Sequence, residues 1–408
     1  MSTLRQIVIV GGGQAAAQAV DTLRRRGYDG GLTLLSDEPH LPYQRPPLSK
    51  KFLAGSFERD RLLIRHAGFY SEHRIDVRLG YRVVQIDRDQ MQVSGADGSK
   101  YDYDALLLAT GSRPRRLSIE GADLQGVHYL RTIADVDRLG RELVPGRRIV
   151  IVGGGYIGLE VAATCRERGL EVTVLEMSDR LMNRVVCPEI SSFYEEEHAR
   201  RGVDIVCRAS VQGIHGDEHG RVRSIICSDG NQYIADIVLI GVGALPNDDL
   251  AVAAGLDCAN GIMVDAHCRT SDPRIYAAGD CALHRSHQCG GSVRLESVDN
   301  AFEQGTNAAL AMLGESPRMP AIPWFWSDQY DLKLIIVGLS TGYDRTVLRG
   351  RPFDRSFSVC YLRDGELIAM DTINNAKDQM AARKLVGQRN RPILDRLADT
   401  SRPLRDCF

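Results

Sequence analysis

Gly153-x-Gly155-x-x-Gly158 ends an apolar run from Ile149 to Val152, and an acid, Glu176, closes the next apolar stretch. Residue types in that order suit one task, which is holding a dinucleotide. Gly153 permits a tight turn, Gly155 lets a pyrophosphate approach bare backbone, and Gly158 lets helix and strand pack closely. The helix N-terminus behind them offers unpaired N–H groups and the positive end of a dipole. An equivalent device occurs earlier: Gly11-x-Gly13-x-x-Ala16 follows the run Ile7 to Val10, and the acidic pair Asp37-Glu38 stands at the corresponding distance. Each fingerprint is completed by an acid-led apolar run ending in glycine, Asp104 to Gly111 and Asp236 to Gly243. A lone motif can be a purely structural turn, but two, each completed by an acid, predict two homologous nucleotide-binding halves.

The elements around them follow the same duplication. Residues 80–104 alternate around Asp97-Gly98, and residues 207–236 repeat the arrangement with turns at His219-Gly220 and Asp229-Gly230, so each half carries a small β-meander. Residues 112–130, rich in Pro, Arg and Gly, read as a crossing between the halves, and residues 270–280 (TSDPRIYAAGD) read as a strand returning to the first half. Residues 297–313 have apolar residues, Phe302 among them, at helical spacing. Residues 40–50 contain Pro42, Pro46 and Pro47, which forbid an ordinary helix and would deliver Arg45 and Lys50 to fixed places. From about residue 321 the character changes: Trp324 and Trp326 are followed by strand-like segments, with a final helix near 376–388. The fold class predicted is α/β, with two Rossmann-like dinucleotide-binding domains and a C-terminal α+β domain. Its boundaries are 1–113 with 244–320, 114–243, and 321–408.

At 408 residues the chain is too long for one core. A net charge of −2 gives no general basic surface for nucleic acid, so a charge-steered partner must meet a local patch. No apolar run reaches the roughly 18 to 20 residues that span a bilayer. The first strand begins at Ile7, which leaves no room for a secretory signal. The ten cysteines form no C-x-x-C pair and suit reduced thiols in a cytoplasmic setting.

The segments RPPLSK, GGGYIGLEVAAT, TSDPRIYAAGDCA, ESVDNA and WFWSDQYDLKLIIVGLS together resemble the FAD-dependent NADH:ferredoxin reductases that serve cytochrome P450 systems and ring-hydroxylating dioxygenases. The resemblance covers essentially the whole chain. It implies that the first fingerprint holds FAD and the second NADH. The FAD residues implied are Gly11, Gly13, Gln14, Ala15, Asp37, Arg45, Pro46, Lys50, Val83, Ala109, Thr110, Gly111, Arg131, Gly279, Asp280, Ser297, Val298 and Trp326. The nicotinamide nucleotide falls to Gly153, Gly155, Tyr156, Ile157, Gly158, Glu160, Glu176, Arg184 and Gly243. Asp37 suits the adenosine ribose, Arg45 and Arg131 the pyrophosphate, and Asp280 a ribityl hydroxyl. The helix beginning near Ser297 would aim its positive end at the flavin pyrimidine edge. Lys50 and Glu160 are the implied pair beside the hydride-transfer position; the competing reading is a solvated lysine and an unrelated helix glutamate. Glu176 favours NADH by repelling a 2′-phosphate, although Arg180 and Arg184 nearby leave NADPH open.

No cysteine precedes Cys165, so the first half offers no thiol relay, and no cysteine cluster suits an iron–sulfur centre. The implied acceptor is therefore a separate [2Fe–2S] ferredoxin, steered by arginines such as Arg65 and Arg318, and the enzyme a monomer or weak dimer. Cys281, His284, His287 and Cys289 carry ligand atoms suited to zinc, but their spacing matches no familiar site, and no metal is expected. Two alternatives remain: a reductase of rubredoxin or of a small acceptor such as a quinone or monodehydroascorbate, and a flavin-bound signalling protein like apoptosis-inducing factor.

Overall fold

The structure, a computed structural model, describes residues 4–286, 290–318 and 321–408. The chain divides into two compact units: residues 1–44, 60–113 and 245–323, and residues 45–59, 114–244 and 324–408.

In the first unit the strand Gln6–Val10 lies at the centre of a five-stranded parallel sheet, between Gly31–Leu35 and Ala105–Leu108. Asp76–Arg78 and Ile275–Ala277 form its edges. A strand covered on both faces reads as continuous apolar sequence rather than alternation, as IVIV and ALLL do. Ile7 and Ile9 pack with the helices Gln14–Arg25 and Val298–Met312, while Val8 and Val10 pack with the meander Val83–Asp87, Gln92–Gly95, Lys100–Asp102. The two helices meet through a glycine, for a Cβ on Gly305 would lie 2.4 Å from the Ala15 carbonyl oxygen. The return strand is present as Ile275–Ala277, paired in parallel with Ala105–Leu108. The helix after it differs from its expected apolar face. Phe302 is exposed, whereas Asn300, Gln304 and Thr306 are buried. Gln304 has a polar task there, accepting from Gly279 N–H (2.8 Å) and pairing its amide with His284 Nδ1 (3.1 Å).

The second unit repeats the plan. Arg148–Val152 is central, flanked by Glu171–Glu176 and Ile237–Ile240, with Val203–Cys207 and Val127–His128 at the edges, all parallel. Its meander is Val211–Gly216, Val222–Cys227, Gln232–Ile234. Val127–His128 lies in the stretch expected only to cross between halves, and it occupies the edge position that Ile275–Ala277 holds in the first unit. Residues 324–408 form an antiparallel sheet in the order Trp324–Gln329, Leu332–Gly338, Glu366–Ile373, Ser356–Arg363, Arg345–Arg351. The tryptophan segment is itself an edge strand, which its unalternating WFW start did not announce. Arg349 ties the C-terminal tail down: its Nε meets Asp378 (2.9 Å), and its other nitrogens donate to the carbonyls of Leu397, Asp399 and Arg402. Among the described residues no helix is long and apolar enough to cross a membrane.

Two buried groups of this unit titrate in opposition. Burial holds the His198 imidazole down to about 4, from an ordinary 6.5, and pushes the Asp371 carboxyl up to about 7, from an ordinary 3.8. Between these values unfolded His198 binds a proton that folded His198 refuses, so that group adds stability as pH rises from 4 to 6.5. Folded Asp371 keeps a proton that the unfolded chain releases, so that group removes stability as pH rises from 3.8 to 7. Asp371→Asn is therefore expected to lose less stability than the wild type on going from pH 4 to pH 7, by up to ~4 kcal/mol, in urea titrations at the two pH values. An unchanged difference between the two proteins would refute the assignment.

Candidate active site

In the first unit the parallel strands bring the fingerprint residues to one sheet edge. Gly11 (φ +121°) ends its strand, and a Cβ there would lie 2.1 Å from the Ala109 carbonyl oxygen. Gly13 has extended backbone, and open space where a Cβ would stand. The helix Gln14–Arg25 behind it has no side-chain cap and no acid in its first turn. Its orphan N–H groups, beginning with Gln14 and Ala15, therefore remain for a ligand, and an anion is what they suit. Of the acidic pair, Glu38 accepts from the Tyr43 hydroxyl (2.6 Å), while Asp37 is exposed. Thr110 donates from its hydroxyl to the Asn247 carbonyl (2.6 Å) and accepts at its own carbonyl from the Asn247 amide (2.9 Å), fixing the path through Ala109 and Gly111. Gly279 approaches Ala15, a Cβ there falling 3.2 Å from Ala15 Cβ, and Asp280 Oδ2 accepts from Ser112 (2.9 Å). Ser297 caps the helix that starts at Val298, accepting from Asn300 N–H (3.1 Å). Val83 opens the meander. A glycine cradle, an uncapped helix end and an exposed acid at one sheet edge fit a dinucleotide such as FAD.

The second unit holds the other fingerprint. Cβ atoms on Gly153 and Gly158 would fall 2.4 Å from the Gly241 carbonyl oxygen and 2.2 Å from that of Gly153, so neither position admits a side chain. Gly155 again faces open space, before the uncapped helix Tyr156–Glu167. Glu176 is pinned: its two oxygens accept from Gly154 N–H (2.7 Å) and Ser178 N–H (2.7 Å). Arg180, which left cofactor choice open, is occupied elsewhere, on Val186 O (2.8 Å), Ser191 Oγ (2.7 Å) and Asn183 O (2.9 Å). Arg184 reaches over Gly243, its Nη2 lying 3.7 Å from where a Cβ would be. Ile157 is exposed at the front of the helix.

One turn into that helix, Glu160 is 4% exposed and meets Lys50 Nζ at 2.8 Å. The second reading of these two, an unrelated surface lysine and helix glutamate, is thereby excluded. Ser49 donates to Glu160 Oε2 (2.5 Å) and Ser327 to Oε1 (2.8 Å), while Thr164 donates to the Ser49 carbonyl (3.1 Å). Burial pushes the Glu160 carboxyl upward, opposed by the Lys50 ammonium and these hydroxyls. Ser49 and Ser327 were missed from sequence. Ser49 stands inside RPPLSK, where its neighbours drew the attention, and nothing local ties Ser327 to a helix so far away in the chain. Pro46 starts the 3₁₀ turn Pro46–Ser49 that places Lys50. Arg45 donates to the Arg131 carbonyl (2.8 Å), bringing the two implied pyrophosphate arginines together. Trp326 stacks on Trp324 (5.3 Å), Arg383 covers Trp324 (3.9 Å), and Phe325 lies against Tyr156 (4.7 Å).

Residues 5–305 match the pyridine nucleotide-disulphide oxidoreductase family, and residues 324–408 match a reductase C-terminal domain. The chain belongs to this oxidoreductase family. Within it, the chain groups with the ferredoxin reductases. It is 42% identical over 400 residues to the 5,5′-dehydrodivanillate O-demethylase ferredoxin reductase subunit of Sphingobium sp., covering 98% of this chain and 97% of that one. It is 40% identical over 412 residues to putidaredoxin reductase CamA of Pseudomonas putida, covering 100% and 98%. The solved covalent complex of putidaredoxin reductase with putidaredoxin superposes with a TM-score of 0.96 at 40% identity, covering 99% of this chain and 98% of that one. FAD and a nicotinamide dinucleotide are the cofactors of this oxidoreductase.

The oxidoreductase departs from the disulphide half of its family's description. The helix after the first fingerprint contains no cysteine, and all nine described cysteines are free. Among the described residues no group of His, Cys, Asp and Glu could hold a metal. Cys281 is wholly buried and His284 is engaged by Gln304; His287 and Cys289 lie outside the described residues. On the first unit a cleft is lined by Arg25, Arg26, Arg65, Arg318 and Phe302, with Asp21 paired to Arg25 (3.1 Å) and Arg65 (3.2 Å). Four arginines around one acid make it electropositive.

Proposed function

We propose that this oxidoreductase takes electrons from NADH and delivers them to a separate [2Fe–2S] ferredoxin serving a cytochrome P450 or ring-hydroxylating oxygenase. The observation that carries the proposal is the full-length likeness to putidaredoxin reductase, in a chain whose first helix offers no thiol to divert the electrons. We divide the chain into an FAD domain (1–113 and 244–320), an NADH domain (114–243) and a C-terminal domain (321–408). The match of the reductase C-terminal domain from residue 324 supports the last of these boundaries. FAD, when bound, accepts a hydride and releases electrons singly, which is the chemistry that the protein lacks by itself.

The residues supply position and charge. The uncapped helices after Gly13 and Gly155 receive the two pyrophosphates, with Arg45 and Arg131 as counter-charges. Asp37 and Glu176 take the ribose hydroxyls, Asp280 the ribityl chain, and the helix capped at Ser297 directs its positive end to the flavin ring. Lys50 and Glu160 form a fixed ion pair that orients groups at the nicotinamide face without moving a proton. Tyr156 and Ile157 gate that face. The arginine cleft attracts an acidic carrier, and its exposed charges act chiefly on the association rate. Free, mostly buried thiols support a cytoplasmic setting, and we take the enzyme to be a monomer or weak dimer.

Glu176 is held by two backbone N–H groups and would repel a 2′-phosphate, and Arg180 is occupied elsewhere, which leaves the exposed Arg184 as the nearby guanidinium that could meet one. NADH is expected to exceed NADPH in kcat/KM by roughly 100-fold, or ~3 kcal/mol, as a like-charge contact predicts. Glu176→Ala should narrow the ratio, and an unaltered ratio would remove Glu176 from cofactor choice. The test of the whole proposal is anaerobic stopped-flow reduction of the yellow holoenzyme by NADH, then mixing with a [2Fe–2S] ferredoxin. Rapid bleaching followed by rapid ferredoxin reduction is expected. Bleaching with no transfer to a ferredoxin, but with transfer to rubredoxin or a quinone, would move the acceptor; no bleaching would end the reductase reading.

A further inference from the structure

Tyr156 Oη, Tyr194 Oη and Asp371 Oδ1 of the second unit are each buried without a hydrogen-bond partner among the described residues. They come from three separate elements, the helices Tyr156–Glu167 and Pro188–Arg200 and the strand Glu366–Ile373. They also share a locality: the Tyr156 ring packs on Phe325 (4.7 Å), which stands in register with Ile336 and then Asp371 across the sheet, and Tyr361 joins Asp371 to Cys187, the residue before the helix that carries Tyr194. The other polar capacity of Asp371 is spent. Its Oδ2 accepts from Tyr361 (2.5 Å), whose oxygen in turn accepts from Cys187 N–H (3.0 Å).

Buried polar atoms are nearly always satisfied, by protein or by ordered water. Three orphans from three neighbouring elements are enough to supply the two to four partners that an internal water needs, which an apolar void could not. We propose that Tyr156, Tyr194 and Asp371 enclose an internal water site, and that through it Asp371 acts as a positioning residue for Tyr156 at the NADH site. The proposal rests on the second fingerprint being that site.

Tyr156 is well suited to such control. It is the first residue of the fingerprint helix, next to the open space in front of Gly155, and its ring is already fixed on one side by Phe325 (4.7 Å). A bond at the hydroxyl end leaves the ring no freedom to swing into the ligand's space. The water also links the strand Glu366–Ile373, deep in the C-terminal sheet, to the first turn of the nucleotide-binding helix.

Two measurements test this on the FAD-loaded, full-length protein. A crystal structure is expected to show an ordered water within hydrogen-bond distance of all three atoms; an empty site, or direct contact between the side chains, overturns the site. In steady-state assays Asp371→Asn and Tyr194→Phe are each expected to raise KM for NADH about fivefold, by more than they lower kcat. Combined with Tyr156→Phe, neither should add its full effect, because each acts through the same hydroxyl. Full additivity, or an unchanged KM in both variants, overturns the positioning role. Tyr194→Phe carries the test if Asp371→Asn does not fold. A wild-type holoenzyme that binds no NADH would instead overturn the reading of the second site and the role of Asp371 with it, while the crystallographic water would remain to be explained structurally.

Discussion

Lys50→Ala is expected to destabilise the protein by ~3–5 kcal/mol and to slow flavin reduction by NADH by roughly 10- to 100-fold. The stability loss follows from Glu160, which is 4% exposed and has Lys50 as its cationic partner at 2.8 Å. Without the ammonium the carboxylate keeps only Ser49 and Ser327, two neutral donors, against the full penalty of burial. Burial already pushes this carboxyl upward, so loss of the Lys50 ammonium is expected to push it further toward the protonated form. Infrared difference spectra should then show a protonated carboxyl that Lys50→Ala/Glu160→Gln lacks. The double variant should recover much of the stability, since replacing both members of a buried pair is far milder than orphaning one. It should recover little of the rate, because we assign to the pair the orienting of the reacting faces. A double variant as unstable as the single one would mean that the ion pair is not the cause.

Gly155→Val and Gly13→Val should separate the two nucleotide sites. Both glycines have extended backbone that any residue adopts (φ −83° and −99°), and at both a Cβ would meet nothing within 4 Å. Neither substitution therefore strains the empty fold. Each places a branched side chain in the space kept for a pyrophosphate in front of an uncapped helix. Gly155→Val is expected to leave the protein yellow and folded while raising KM for NADH roughly 100-fold, or ~3 kcal/mol. Gly13→Val is expected to yield a folded but colourless protein. A yellow, fully NADH-competent Gly155→Val protein would detach the second fingerprint from nicotinamide binding. Gly158→Ala is a poorer probe, because its Cβ would lie 2.2 Å from the Gly153 carbonyl oxygen and would disturb the turn itself.

Much of the architecture is written locally. Glycine spacing, continuous apolar strands and alternating meanders are short-range patterns, so the central strands of both parallel sheets, both meanders and the return strand could be read in order, while the edge strands Asp76–Arg78 and Val203–Cys207 were not. Where the local pattern is weak the reading stopped short. Val127–His128 is two residues long and pairs only because Ile237–Ile240 leaves an edge open, and WFWSDQ alternates only from Ser327 onward. The helix Val298–Met312 misled in detail because Gln304 is buried for a hydrogen bond, which hydropathy counts as surface.

For chemistry the division is sharper. The glycines and strand-end acids that we assign to a dinucleotide could be proposed from sequence alone, since each would act through its own backbone or its place at a strand end. Tertiary structure alone decided which polar groups share one buried volume. Ser49, Glu160 and Ser327 meet across more than a hundred positions on either side of Glu160, and the unpartnered atoms of Tyr156, Tyr194 and Asp371 are buried on two helices and a strand. Such convergence leaves no periodic trace, because the pressure that selects it is desolvation in the folded state, and no short segment of chain experiences that by itself.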